Sequence, residues 1–134
     1  MPHDILHPKH WKPARGYANG VAASGRMVFT GGIIGWNADQ EFETDDFVGQ
    51  TAQALRSIVE ILAEAGAQPQ DLVRLTWYVT DKHDYLGNLK ALGTAYKEIL
   101  GRHYPAMALV QVVALVEDRA KVEIEATAVI AQVA

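Results

Sequence analysis

The chain has 134 residues, 49% hydrophobic and 21% charged, with a formal net charge of -4 and no cysteine. That length suits one domain, residues 1–134, with a core of its own. The missing cysteines exclude disulfides, a thiolate nucleophile and a cysteine-ligated zinc, and an acidic balance with no Lys/Arg cluster argues against nucleic acid as a partner.

The opening segment, MPHDILHPKHWKP, lacks the apolar stretch of a signal peptide, and no run approaches membrane-spanning length. A soluble, cytoplasmic protein is therefore expected. Residues up to Pro13 predict an extended arm or a short edge strand. Tyr17 to Ala23 reads as a strand, Ser24-Gly25 as a turn, and Arg26 to Thr30 as the hairpin partner. Gly31-Gly32 ends that strand and permits close backbone approach. Residues 36–40 read as loop, with Trp36 either edging a cleft or packing on the helix that follows.

That helix is the clearest element. Thr44 is the expected N-cap, with Asp45 and Asp46 in the first turn, where the helix dipole favours negative charge. Phe47, Thr51, Leu55, Ile58 and Leu62 recur at helical spacing, and Gly66 is a natural terminator. Val73, Leu75, Trp77 and Val79 alternate with polar neighbours, as in a strand. A second helix is expected from about Asp84 to Leu100, weakened by Gly87 and Gly93.

The last third predicts a strand over residues 104–116, a turn at Glu117-Asp118-Arg119, and a closing strand in hairpin with the first. The former is apolar at both parities, the pattern of a strand buried on both faces. In the latter, Val122, Ile124, Ala126 and Ala128 share one face, and Lys121, Glu123, Glu125 and Thr127 the other. The expected architecture is α/β (α+β): a mixed sheet of about six strands with two helices on one face. Two helices leave the second apolar face of the 104–116 strand uncovered, so association with sister copies is expected.

Five stretches carry a family resemblance. Tyr17-Ala18-Asn19-Gly20-Val21 resembles Tyr-Ser-Gln-Ala-Val, and Val28-Phe29-Thr30-Gly31-Gly32-Ile33 resembles Val-Tyr-Ser-Gly-Gln-Ile. Ala65-Gly66-Ala67 before Asp71-Leu72-Val73-Arg74 is similar to Ala-Gly-(small) before Asp-Ile-Val-Lys. Pro105-Ala106 matches the start of Pro-Ala-Arg, and Val122 to Ala126 matches Ile-Glu-Ile-Glu-Ala. In this order, from about Ala14 to Ile130, they resemble the RidA/YjgF family of reactive-intermediate deaminases, also called L-PSP endoribonucleases.

The resemblance implies a chorismate-mutase-like fold and a homotrimer with clefts between subunits. It also implies hydrolysis of a small-molecule imine or enamine to a carbonyl compound and ammonia, without a cofactor. Carried over by position, Glu123 falls on the water-activating glutamate, Tyr17 on the cleft tyrosine, and Thr30-Gly31 on Ser-Gly. Asn88 lies one residue early against the cleft asparagine. Met107 stands where the family has arginine, and methionine cannot make the bidentate contact that anchors a carboxylate. A small α-imino acid is thus not the expected substrate.

Each residue also has a plainer account. Glu123 could be a sheet residue paired with a basic neighbour, and Glu125 is assigned to structure. Met107 fits an apolar core as well as an apolar cleft floor. Arg15 could supply the missing positive charge, or stand solvated. Gly31 to Gly35 lacks phosphate-loop spacing, and the histidines lack zinc spacing. A non-catalytic, metabolite- or partner-binding trimer is the alternative reading, with ribonuclease activity the weaker third.

Overall fold

The 44–66 segment carries a helix because its apolar residues repeat every three to four positions, and its ends are set by a carboxylate and a glycine. The computed structural model describes residues 3–132. In it α1 spans Phe47–Glu64. Its N-cap is Asp46 rather than Thr44. The Asp46 carboxylate accepts from the Gly49 N–H at 2.8 Å, while the Thr44 hydroxyl accepts from the Asp46 N–H outside the helix. A charged acceptor at this end is favoured by both the free N–H groups and the helix dipole. Asp45 therefore lies outside the first turn, and pairs with Arg119 at 2.9 Å. At the other end Gly66 takes φ +77°. Its N–H reaches the Ala63 carbonyl, and the Ala67 N–H reaches that of Leu62, a Schellman ending that favours glycine.

Among the described residues seven strands follow the chain order: β1 Asp4–Leu6, β2 Gly20–Ala22, β3 Gly25–Phe29, β4 Ile33–Ile34, β5 Leu72–Val79, β6 Ala106–Gln111 and β7 Val122–Ala131. The main sheet runs β3-β7-β5-β6, with β4 also on β7. β5 and β6 are parallel, and the other pairs in this sheet are antiparallel. The mixed sheet with a helical layer is as expected. Its inner face is built from Leu72, Leu75, Trp77 and Val79 of β5 and Val122, Ile124, Ala126 and Ala128 of β7, all in the core with Leu55, Ile58 and Leu62 of α1.

Neither expected hairpin forms. β2 pairs with β1 in a separate ribbon, in register Ile5↔Val21. β3 and β4 instead lie in succession along the ten-residue β7. β6 pairs with β5, not β7, because β5 lies between them. Nor does the strand continue to residue 116. Its partner β5 ends at Val79, whose carbonyl accepts from the Val112 N–H. Beyond this rung Val113 and Val116 stand fully exposed.

The second helix is two: α2 Lys82–Leu86 and α3 Leu89–Leu100. Gly87 caps α2, and the Asn88 amide donates to the Asp84 carbonyl at 2.7 Å. A glycine weakens the helix here, and a short amide competes for its carbonyls. Among the described residues, no helix is long and apolar enough to cross a membrane.

Candidate functional site

Strand alternation sorts the candidate residues onto two sides of the sheet. Glu123 pairs with Tyr78 and Glu125 with Thr76 on the face away from the helices. Met107 pairs with Leu75 on the helix side.

On the outer face, β3 and β4 are one strand interrupted beside β7. From Phe29 to Ile33 the chain takes four steps where β7 takes three, from Thr127 to Ile124. The extra residue bulges at Thr30 to Gly32, where it bends the strand and frees backbone from the ladder. Thr30 anchors the bulge. Its N–H and hydroxyl bond the Ala126 carbonyl and N–H, and its hydroxyl also donates to the Gly31 carbonyl at 2.8 Å. Gly31 is exposed.

Gly32 packs against the Glu123 side chain so closely that a methyl group there would fall 2.5 Å from Oε2. The close approach needs glycine. Glu123 is half-buried and, among the described residues, makes no hydrogen bond or ion pair within the chain. Glu125 differs. Its Oε1 accepts from the Tyr78 hydroxyl at 2.8 Å. That bond, with desolvation and the charges of Glu125 and Glu123, raises the Tyr78 pKa above the usual phenol value. The outer face thus holds one tethered carboxylate and one open carboxylate, the latter beside a backbone kink.

On the helix side, Met107 lines a hollow of about 290 Å³ with Leu75, Trp77, Tyr85 and Leu92, and Arg15 edges it. Burial pushes the Tyr85 phenol pKa up. Tyr17 lies outside this hollow, in a neighbouring groove with Asn19, His103 and Tyr104. Asn88 lies on another surface, beside Gly87 and Lys90, with its amide bonded to Asp84.

The chain alone therefore brings Glu123, Thr30 and Gly31 together, and keeps Met107, Tyr17 and Asn88 apart from them. Trp36 meets the Phe42 ring at 5.8 Å and lines a surface hollow with Arg119. Sequence reading missed the Tyr78–Glu125 bond, a diagonal contact across the β5–β7 pair, since Tyr78 itself stands opposite Glu123. It also missed the hollow, although Tyr85, Leu89 and Leu92 already formed one stripe.

These features define a small α+β protein with a mixed sheet, one helical layer and a kinked, acid-bearing open face. The chain belongs to the RidA/YjgF family: the family profile described as Endoribonuclease L-PSP matches residues 8–130. The chain is similar to a 2-iminobutanoate/2-iminopropanoate deaminase of Salmonella typhimurium, with 32% identity over 116 residues, 84% of this chain and 86% of that protein. A RutC family protein of Pyrococcus abyssi is 31% identical over 125 residues, 92% of this chain and 94% of the relative. Among solved structures, the Rid-family protein YyfB of Yersinia pestis, itself of unknown function, is 32% identical with a TM-score of 0.86, covering 97% of this chain and all of that one. The YjgF gene product of Escherichia coli is 32% identical with a TM-score of 0.66, covering 84% and 87% of the two chains.

Proposed function

We propose that this protein hydrolyses a reactive imine or enamine to a carbonyl compound and ammonia, without a cofactor, in clefts between the copies of a homotrimer. The observation that carries the reading is Glu123: a half-buried carboxylate on the open sheet face, unpaired among the described residues, against the backbone at Gly32. The similarity to an imine deaminase supports the reaction class.

In the mechanism, Glu123 accepts a proton from water as the oxygen attacks the carbon of a protonated imine. The Glu123 carboxyl returns that proton to the nitrogen of the resulting carbinolamine, the C–N bond breaks to expel ammonia, and the hydroxyl proton passes by way of the carboxylate to ammonia as the C=O bond forms. Held at the correct distance, such a base contributes about 10²- to 10⁴-fold in rate. Thr30 serves by fixing the kink, since its hydroxyl is committed to Ala126 and Gly31. Met107 gives the helix-side wall an apolar surface in place of the family's arginine, so the substrate is not a small α-imino acid.

The test is ammonia release from a panel of freshly generated imines. Wild type is expected to accelerate hydrolysis of at least one, and Glu123→Gln to lose nearly all of that rate while keeping its melting temperature. Equal rates for the two proteins would remove Glu123 from the reaction.

One observation favours a second reading, a non-catalytic trimer that binds a small metabolite or a partner. The Asn88 amide is engaged with Asp84, which together with Met107 leaves two of the family's cleft positions without their polar function. Saturable ligand binding with no turnover across the panel would select it. The ribonuclease reading, carried by the family's older description, has the net charge of -4 against it.

A further inference from the structure

The helix-side hollow has the composition of a ligand site of its own. Its walls are Leu75 and Met107 from paired strands, Trp77, and Leu92 from α3. Trp77 is only 4% exposed, and its indole N–H is buried without an acceptor among the described residues. Tyr85 lies edge-on to the Trp77 ring, with ring centres 6.0 Å apart and planes at 80°. Arg15 stands at the rim, exposed, with no ion-pair or hydrogen-bond partner among the described residues.

Size and charge narrow the occupant. A dry cavity of roughly 150 Å³ already admits benzene. At about 290 Å³ the hollow has room for a ring and a short tail, and too little for a nucleotide. Its aromatic and aliphatic walls select an apolar body. A planar guanidinium at the rim selects a carboxylate, which it can grip with paired hydrogen bonds. The unmet Trp77 donor in the wall favours a ligand that carries acceptors over a plain hydrocarbon.

We propose that this hollow binds a small carboxylate bearing an aromatic or bulky apolar group, its anionic end on Arg15 and its apolar end against Leu75, Trp77 and Met107. The inference does not depend on imine hydrolysis. Where both hold, it gives the substrate class: imines of aromatic or bulky apolar character carrying a carboxylate.

Isothermal titration of the full chain with 3-phenylpropanoate tests it without turnover. Saturable binding is expected, weakened about tenfold or more by Arg15→Gln. Propanoate, lacking the ring, and 3-phenylpropanamide, lacking the charge, are each expected to bind at least about tenfold more weakly. Arg15 is exposed, so its replacement leaves the fold intact. Gly93 of α3 lines the hollow, and a Cβ added there meets nothing within 4 Å. Gly93→Leu should therefore fill the space and abolish binding, with the helix strengthened by about 1 kcal/mol. No binding of 3-phenylpropanoate to the wild type, or wild-type affinity in Arg15→Gln or in a folded Gly93→Leu, would overturn the proposal. Binding with this pattern alongside failure of every imine would leave the site standing and remove only the hydrolase reading.

Discussion

Glu123 and Met107 face away from each other across one sheet: Glu123 pairs with Tyr78 on the open face, and Met107 with Leu75 on the helix face. A single chain cannot present both to one small molecule. If hydrolysis uses both surfaces, each working cleft takes the acid from one copy and the apolar hollow from another. Mixing two defective proteins then restores function. Glu123→Gln and Gly93→Leu, each assayed alone, are expected to hydrolyse little imine. Co-refolded, they should form some clefts in which both contributions are intact, and recover part of the wild-type rate. Mixed assemblies verified by mass spectrometry, yet no more active than their parents, would rule out the shared cleft.

Two neighbouring glycines separate effects on rate from effects on stability. A methyl group on Gly32 meets Oε2, Cδ and Cγ of Glu123, the far end of a flexible side chain. Gly32→Ala should fold with nearly the wild-type melting temperature while pushing the carboxylate off its position. Misplacing a reacting group by about 1 Å can cost roughly a hundredfold in rate. A methyl group on Gly35 instead meets the carbonyl oxygen and Cα of Gln50, at 2.5 and 2.6 Å. That is helix backbone and cannot swing aside. Gly35→Ala is expected to lose about 1–3 kcal/mol in chemical denaturation. The reverse order of effects would mean that Glu123 has no functional position to lose.

What the sequence makes legible is what local pattern determines. The stripe from Phe47 to Leu62 and the alternation of Val122 to Ala128 each specify an element and its buried face without reference to the rest of the chain. Which strands pair is a long-range choice. The 104–116 strand and β7 are joined by a turn and look like a hairpin, yet β5 takes the place between them, because a parallel partner reached through α2 and α3 is equally compatible with an apolar strand. The candidate site divides the same way. Glu123 is legible from parity. The kink at Thr30 to Gly32 depends on the register of both β3 and β4 on β7, and the hollow needs residues from four separate segments, so neither has a local signature.

Gln50 is a second long-range feature that periodicity hides, since it sits on the buried stripe as a polar residue. Fully buried, it donates to the carbonyls of Thr44 and Arg119 at 3.1 and 2.9 Å and accepts from the Lys121 N–H at 2.8 Å. It thereby ties the start of α1 to the approach to β7. Gln50→Leu keeps the volume and strands those three backbone groups. Unsatisfied buried groups cost about 1–3 kcal/mol each, and partial relaxation should leave a net loss of about 3 kcal/mol. Urea denaturation of the two proteins measures it. A loss below about 1 kcal/mol, the size of a single ordinary hydrogen bond, would show that water replaces the amide.

The open face also makes a prediction at high pH. The Tyr78 hydroxyl donates to Glu125, which chiefly accounts for its raised pKa; desolvation adds to the shift, followed by the charges of Glu125 and Glu123. The folded state therefore holds this proton more tightly than the unfolded chain, whose phenol titrates near 10.0. The linked stabilisation is fully present below that pH, and is lost as pH rises through the higher folded value. Tyr85 and Tyr96 are also shifted upward, chiefly by burial, so total phenolate absorbance will not isolate Tyr78. Carbon NMR of labelled tyrosine, with Tyr78→Phe to assign the signal, resolves it. In Glu125→Gln the Tyr78 signal should titrate at lower pH than in the wild type, because the charged acceptor is gone while the neighbouring Glu123 remains. An unchanged midpoint would mean that the 2.8 Å bond does not persist in solution, and that Glu125 is as open as Glu123.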